Sequence, residues 1–293
     1  MDISLYEGLC VGPQKIEYNW RDVALYALAV GAHKKDLNYV YEKQLQAIPS
    51  FGVLPYWNAI HNTPARPTPY PASIAMLRRL EKEKGERINA LHMEHELILH
   101  RPIDPIKGSF VFTDTVEEIY DRGPGKGIVV KTRAPIYDEA GNLICENIAS
   151  TIIFAEGGFG GEKPPKSPVF IPERQPDYEI CDAMSETQNL LYRLCGDTNY
   201  IHVDPEVAKA YGYEEPFMQG LCSLGYACRM GIEAIIPGEP ERLKRISAQM
   251  RNICYPGSRV RFVGWDLGGS VVFRLLNEAD GKPILEKGVF EFQ

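Results

Sequence analysis

"VVKTRAPIYDEAGNLICENIASTIIF", residues 129–154, sets two apolar-rich runs on either side of a polar turn at Asp138 to Asn142. Runs of strand length separated by a short glycine-bearing turn read as a β-hairpin. "VVFRLLNEADGKPILEKGVFEF", residues 271–292, repeats the arrangement around Glu278 to Lys282, again with a glycine in the turn. Well upstream of each hairpin lies an apolar segment that opens Leu-Tyr-x-Leu: LYALAVGA from Leu25 and LYRLCGD from Leu191. One shared pair of signals is within reach of chance. The same order of helix then strands in both halves reads as duplication, so the chain is expected to be α+β, two copies of one unit.

The copies are expected to be separated by GEKPPKSPVFIPERQPD, Gly161 to Asp177, which carries five prolines and alternating charge and follows the flexible GGFGG at 157–161. Such composition marks a linker. The expected division is a first repeat over 1–160, a linker over 161–177 and a second repeat over 178–293. At 293 residues there is enough chain for both units to bury a core.

Within the second copy, Asp204 followed by Pro205 and Glu206 is a helix start, with a capping oxygen, a proline at the first helical position and an acid near the positive end of the dipole. That helix is predicted to stop at Gly212. A longer one begins near Gly220, with an apolar stripe of Leu221, Leu224, Gly225, Cys228, Ile232 and Ile235, and with Arg229 and Glu233 turned away from it. Val260, Phe262 and Trp265 belong to strand-like sequence, and an antiparallel sheet buries such a helix by curling around it.

A composition of 44% hydrophobic and 24% charged residues is that of a soluble globular protein. The formal net charge of -7, with no dense Lys/Arg tract, argues against a nucleic-acid partner. RRLEKEK, Arg78 to Lys84, is mixed with glutamate and reads as a solvated helix face. Seven cysteines without a Cys-x-x-Cys spacing fit neither a disulfide framework nor a zinc ribbon, so reduced thiols are expected. No run is long enough to span a membrane, and MDISLYEGLC lacks a basic leader, which makes the cytoplasm the default expectation. A peroxisomal location stays open for a eukaryotic source, although the terminal Phe-Glu-Phe-Gln is not the common targeting tripeptide.

The candidate chemistry lies in CGDTNYIH, residues 195–202. The bland reading is a polar loop ahead of a helix, with Gly-Asp and Asn supplying turn geometry. Three observations weigh against it. The cluster sits between an apolar segment and a helix start, where its side chains can face a cleft. His202 is the sole histidine of the second half, the other five lying at or before His100. Gly220 then opens the long helix, whose free N–H groups and dipole favour developing negative charge. An acid/base pair, an orienting amide and an oxyanion site suit the addition of water to a double bond conjugated to a carbonyl, or its removal. Asp197 would draw the proton from water and Gly220 would stabilise the carbonyl oxygen. His202 would hold the water and help deliver a proton to the α-carbon, and Asn199 would fix the water or its partners. One His and one Asp fall short of a metal's usual ligand set, so no metal is expected.

At these residues the chain resembles the MaoC-like dehydratases, and within them the hydratase 2 group of (R)-specific 2-enoyl-CoA hydratases. The family signature Tyr-x-Leu-Ser-Gly-Asp-x-Asn-Pro-Leu-His-x-Asp-Pro is matched by YRLCGDTNYIHVDP, Tyr192 to Pro205, and the later His-Gly-Leu-Cys by QGLCSLG from Gln219. WRDVALYALAVGA, Trp20 to Ala32, and EGGFGG, Glu156 to Gly161, are similar to first-half landmarks of the group. The resemblance implies a double hotdog fold, an acyl-CoA thioester substrate, no separate cofactor because CoA belongs to the substrate, and a homodimer. It also implies a catalytic pair of Asp197 and His202 supported by Asn199, with Gly220 as the oxyanion-hole amide. The first copy, with Gly31, Ala32 and His33 at the corresponding place, is expected to have lost catalysis and to shape the acyl pocket. Three positions depart from the pattern: Tyr200 stands for proline, Cys195 for serine and Gln219 for histidine. Tyrosine does not fix φ as proline does, which bears on the Asp-to-His spacing.

Other sites are weaker. LHMEHELILH, Leu91 to His100, is not spaced as His-Glu-x-x-His and reads as an exposed strand or turn. DRGPGKG, Asp121 to Gly127, lacks the Lys-Ser/Thr of a phosphate loop and reads as a hairpin turn. Tyr211 and Tyr213 are expected to be packing residues. Two other functions fit the same fold: a thioesterase, if the held water lies nearer the carbonyl carbon, and a non-catalytic acyl-CoA-binding protein. Retention of Asp197, Asn199 and His202 together argues against the binder.

Overall fold

The structure, a computed structural model, describes residues 2–57, 71–155 and 157–293; Glu156 of the glycine-rich landmark lies outside them. The first half runs β1 (Cys10–Asn19), α1 (Trp20–Ala29), a 3-10 stretch (Pro49–Trp57), α2 (Ala72–Lys84), β2 (Ala90–Leu99), β3 (Lys107–Asp121), β4 (Ile128–Tyr137) and β5 (Leu143–Ile153). In the second come β6 (Tyr178–Ala183), α3 (Gln188–Arg193), α4 (Pro205–Ala210), α5 (Gly220–Ile235), β7 (Leu243–Met250), β8 (Arg259–Asp266), β9 (Ser270–Asn277) and β10 (Pro283–Phe292). All ten strands form one antiparallel sheet in the order β1-β3-β4-β5-β2-β7-β10-β9-β8-β6. Read inward from either edge, the two halves have the same strand order. Both hairpins expected from sequence are present, as β4–β5 and β9–β10, and Asp121 to Gly127 is the turn between β3 and β4.

The halves meet where β2 pairs with β7, Glu94 opposite Gln249 through Ile98 opposite Arg245. Between β5 and β6 the described residues contain no helix or strand. This segment still packs: Val169 and Ile171 cover Trp265 on the outer face of the sheet, and Trp265 Nε1 donates to Arg174 O at 2.7 Å.

Local signals explain the helices that place the site. Asn19 accepts from Arg21 N while Asp22 accepts from Asn19 N, a reciprocal cap that starts α1. Asp204 accepts from the N–H groups of Glu206 and Val207 and starts α4, with Pro205 at its first position. Every residue of α5 from Leu221 to Ile232 is buried. The second-half sheet covers one side of α5, and the end of α1 with the 3-10 stretch covers the other. The approach is closest at Gly225, where a Cβ would lie 2.4 Å from Val30 Cγ1 and 2.9 Å from the Tyr26 hydroxyl.

Three expectations are corrected here. Arg229 does not turn away to solvent; it is 2% exposed, ion-pairs with Asp182 and donates through Nε to Val30 O at 2.9 Å. An amphipathic stripe locates the sheet-facing side of a helix, but in this molecule the first half buries the opposite side too. His95 is not exposed: β2 is an interior strand, and the ring is fully buried with Nε2 2.8 Å from Asn147 Oδ1. Tyr211 is exposed at the end of α4, whereas Tyr213 does pack, its ring 4.5 Å from that of Phe217.

Two predictions follow from this packing. Gly225→Ala should cost about 1–3 kcal/mol by overpacking, read as a lower denaturation midpoint. Burial pushes His95 down to about 3 and His92 to about 4. Both are thus neutral when folded and take up protons on unfolding below their ordinary value of about 6.5, so stability falls as pH drops from there toward 4. Asp114, which burial pushes up to about 7, has the opposite sign, its contribution being lost as pH rises from its ordinary value toward 7. His95→Gln should therefore show a smaller fall in Tm between pH 7 and pH 5 than the parent; an equal fall would mean that His95 is not responsible.

Candidate active site

The loop from Gly196 to Asp204 joins α3 to α4. Gly196 has φ +121°, a conformation that admits little but glycine, and it bends the chain so that Asp197 leaves the end of α3 half-buried. Asp197 Oδ1 accepts from Asn199 N at 3.3 Å. Asn199 in turn caps the short 3-10 turn Tyr200–His202, its Oδ1 accepting from Ile201 N at 3.2 Å. That turn carries His202 inward beneath an exposed Asn199 and Tyr200. Asn199 thus acts on the shape of the loop, with its oxygen already engaged.

His202 Nδ1 lies 2.9 Å from Phe217 O. A carbonyl only accepts, so Nδ1 carries the proton, and the neutral ring presents Nε2 as a lone-pair acceptor. The Phe217 ring stands edge-on to the imidazole at 4.9 Å. Burial pushes His202 below its ordinary pKa; the nearby Asp197 charge and the bond to Phe217 O pull the other way. The Asp197 charge is also felt at the buried Tyr192 and Cys222. Cys195 is buried and its thiol is pushed far up, so it stays protonated and is no nucleophile.

Gly220 is the first residue of α5. Gln219 precedes it in an extended conformation without capping the helix through its side chain, so the N–H of Gly220 has no intrahelical acceptor and sits at the positive end of sixteen helical residues. Asp197 and His202 come together, and His202 is bonded three residues from Gly220. Asn199 is adjacent in the chain but faces solvent.

Residues outside the motif hold this arrangement. Gln188 Nε2 donates to Leu28 O at 3.1 Å and Ala29 O at 2.7 Å, and Cys222 Sγ to Ala29 O at 3.3 Å. With Arg229 on Val30 O, the carbonyls of Leu28, Ala29 and Val30 each accept from a side chain of the second half. His33, which follows α1 in the first half, has Nε2 3.2 Å from Asp182 and takes part in this junction. The only trace of these roles in the sequence is polarity at positions such as Gln188 and Asn189, amid apolar neighbours. Among the described residues, no three His, Cys, Asp or Glu side chains converge to hold a metal ion, and no helix is long and apolar enough to cross a membrane.

Residues 16–155 match the MFE-2 hydratase 2 N-terminal domain and residues 169–287 the MaoC like domain. A probable enoyl-CoA hydratase 2 of Dictyostelium discoideum is 33% identical over 285 residues, covering 94% of this chain and 91% of that protein. The chain belongs to the MaoC-like hydratase 2 family. Its likeness to the peroxisomal multifunctional enzyme type 2 of Drosophila melanogaster, 31% identical over 92% of this chain, takes in 44% of that longer protein. The crystal structure of a MaoC-like dehydratase from Phytophthora capsici superposes with a TM-score of 0.81 at 30% identity, covering 99% of this chain and 97% of that one. The architecture is the double hotdog that the family resemblance implied, built from the two copies that the internal repeat implied.

The His202 ring should titrate with a midpoint below 6.5 in a histidine NMR experiment. Asp197→Asn should lower that midpoint further, because the charge that favours imidazolium is gone; an upward shift would place Asp197 away from the ring.

Proposed function

We propose that this protein catalyses the reversible hydration of trans-2-enoyl-CoA to (R)-3-hydroxyacyl-CoA in fatty acid metabolism. One observation carries the reading. A half-buried imidazole, fixed by Nδ1 to Phe217 O, keeps Nε2 as an acceptor within reach of the Asp197 charge, three residues of chain from the open N–H of Gly220. The names of the hydratase 2 relatives support it as well.

A water molecule donating one hydrogen bond to Asp197 and one to His202 Nε2 has its oxygen lone pair free to attack the β-carbon. As the new C–O bond forms, the water proton passes to the pair and the π electrons move through the α-carbon toward the thioester oxygen. The Gly220 N–H and the α5 dipole stabilise that charge. The pair then returns a proton to the α-carbon, so that H and OH have been added in sum. The reaction is nucleophilic addition with proton transfer and no net oxidation or reduction, so it asks for no redox cofactor; CoA enters as part of the substrate. Asn199 serves the pair by capping the turn beneath His202. The reading includes a homodimer, as the family resemblance implies.

Asp197→Asn and His202→Ala should each lower kcat by roughly 10²- to 10⁴-fold with the fold retained. The assay follows loss of the conjugated enoyl absorbance and release of free thiol in parallel, on short- and long-chain enoyl-CoA esters. Enoyl loss without thiol bears out the hydratase. Thiol release would instead indicate a thioesterase, and silence in both channels a binding protein.

A further inference from the structure

A closed ring of hydrogen bonds joins His202 to the turn that carries Gly220. His202 Nδ1 donates to Phe217 O at 2.9 Å. Two residues on, the Gln219 side chain reaches α3, where Nε2 donates to Asn189 O at 3.1 Å. Asn189 completes the ring, its Nδ2 donating to His202 O at 2.7 Å. Asn189 is 6% exposed and Gln219 1%, so water does not compete for either side chain.

We propose that Asn189 and Gln219 are positioning residues that set the distance and angle between the His202 imidazole and the Gly220 N–H. The inference rests on the hydratase reading, in which both groups must face one substrate. The loop bearing His202 has little stiffness of its own. Gly196 opens it, Asn199 and Tyr200 are exposed, and no proline fixes φ where Tyr200 stands. The His202 N–H donates to Asn199 O at 3.3 Å within the same loop, which leaves Nδ1 as one point of attachment to the rest of the molecule, about which the loop can pivot. The Asn189 bond at the His202 carbonyl supplies a second point of attachment on the same residue.

That second point is itself anchored, because the neighbouring Gln188 is bonded to Leu28 O and Ala29 O. Gln219 carries the constraint onward to the first residue of α5. Its Oε1 is buried with no hydrogen-bond partner, a burial that costs stability and that helix capping does not account for, since this side chain does not cap α5. A displacement of about 1 Å between reacting groups is enough to lower turnover by roughly 10²-fold, so a ring of this kind bears on rate even where it adds little to substrate binding.

The test uses the full chain and the variants Asn189→Ala, Gln219→Met and their combination, with trans-2-enoyl-CoA as substrate. Each single change is expected to lower kcat by about 10- to 100-fold with KM within about threefold. The double variant should lose no more than the worse single, because both break one ring. Gln219→His, whose ring N–H offers a donor toward Asn189 O, should recover most of what Gln219→Met loses. In parallel, histidine NMR follows the His202 ring, assigned by its absence in His202→Ala. Its midpoint should rise toward 6.5 in both single variants as water reaches a loosened imidazole. Turnover within twofold of the parent, additive losses or an unmoved His202 midpoint would each overturn the proposal. A parent that hydrates no enoyl-CoA would sink the functional reading alone, and the NMR titration would still decide the positioning role. If Gln219→Met does not fold, Asn189→Ala carries the decision.

Discussion

Helix α1 ends with Ala29 and Val30 buried and the Leu28 carbonyl part-buried beside them. Leu28, Ala29 and Val30 have no helical turn beyond them to supply all their donors, and a buried carbonyl left unmet is costly. Side chains from the other half meet them: Gln188 from α3, Cys222 and Arg229 from α5. This one requirement shapes much else. It brings α1 onto α5 so closely that only glycine fits at 225, draws a charged guanidinium into the core with Asp182 as its counterion, and fixes the start of α3, from which the site loop departs. The ion pair lies within the second half and holds the guanidinium in place, while its Nε, donating to Val30 O, makes the contact that crosses from one repeat to the other.

The same junction explains the asymmetry of two similar halves. In the second, the chain leaving α3 bends at Gly196 and places a carboxylate and an imidazole beside the start of α5. At the corresponding place in the first, the exit of α1 is occupied by donors from the second half, and the half-exposed His33 has Nε2 3.2 Å from the buried Asp182 carboxylate.

Much of this was legible in the sequence. Turn residues announced the hairpins, Asp204-Pro205-Glu206 announced α4, and apolar periodicity announced α5. The loop motif led to Asp197 and His202, and the structure does bring the two together. What escaped was whatever depends on the contact between halves. Periodicity assigns Arg229 to solvent because it carries no information about a second covering surface. His95 lies in a strand whose neighbour on one side is some 150 residues away, with Glu94 and Gln249 separated by 155 positions. Nothing local marks such a strand as interior. Asn189 and Gln219 are ordinary polar letters until folding brings them together.

The β2–β7 pairing has a bearing on biosynthesis. Until residue 249 is made, the sheet of the first half ends at β2, with a row of backbone N–H and C=O groups open to any other extended chain. At about 5–20 residues per second, the stretch from Ile153, which completes β5 beside β2, to Gln249 corresponds to a wait of roughly five to twenty seconds. The nascent protein therefore passes through a stage in which a half-finished sheet must stay unpaired on the ribosome. Glu94 and Glu96 lie along that open edge, and their like charges resist the wrong partner during the interval.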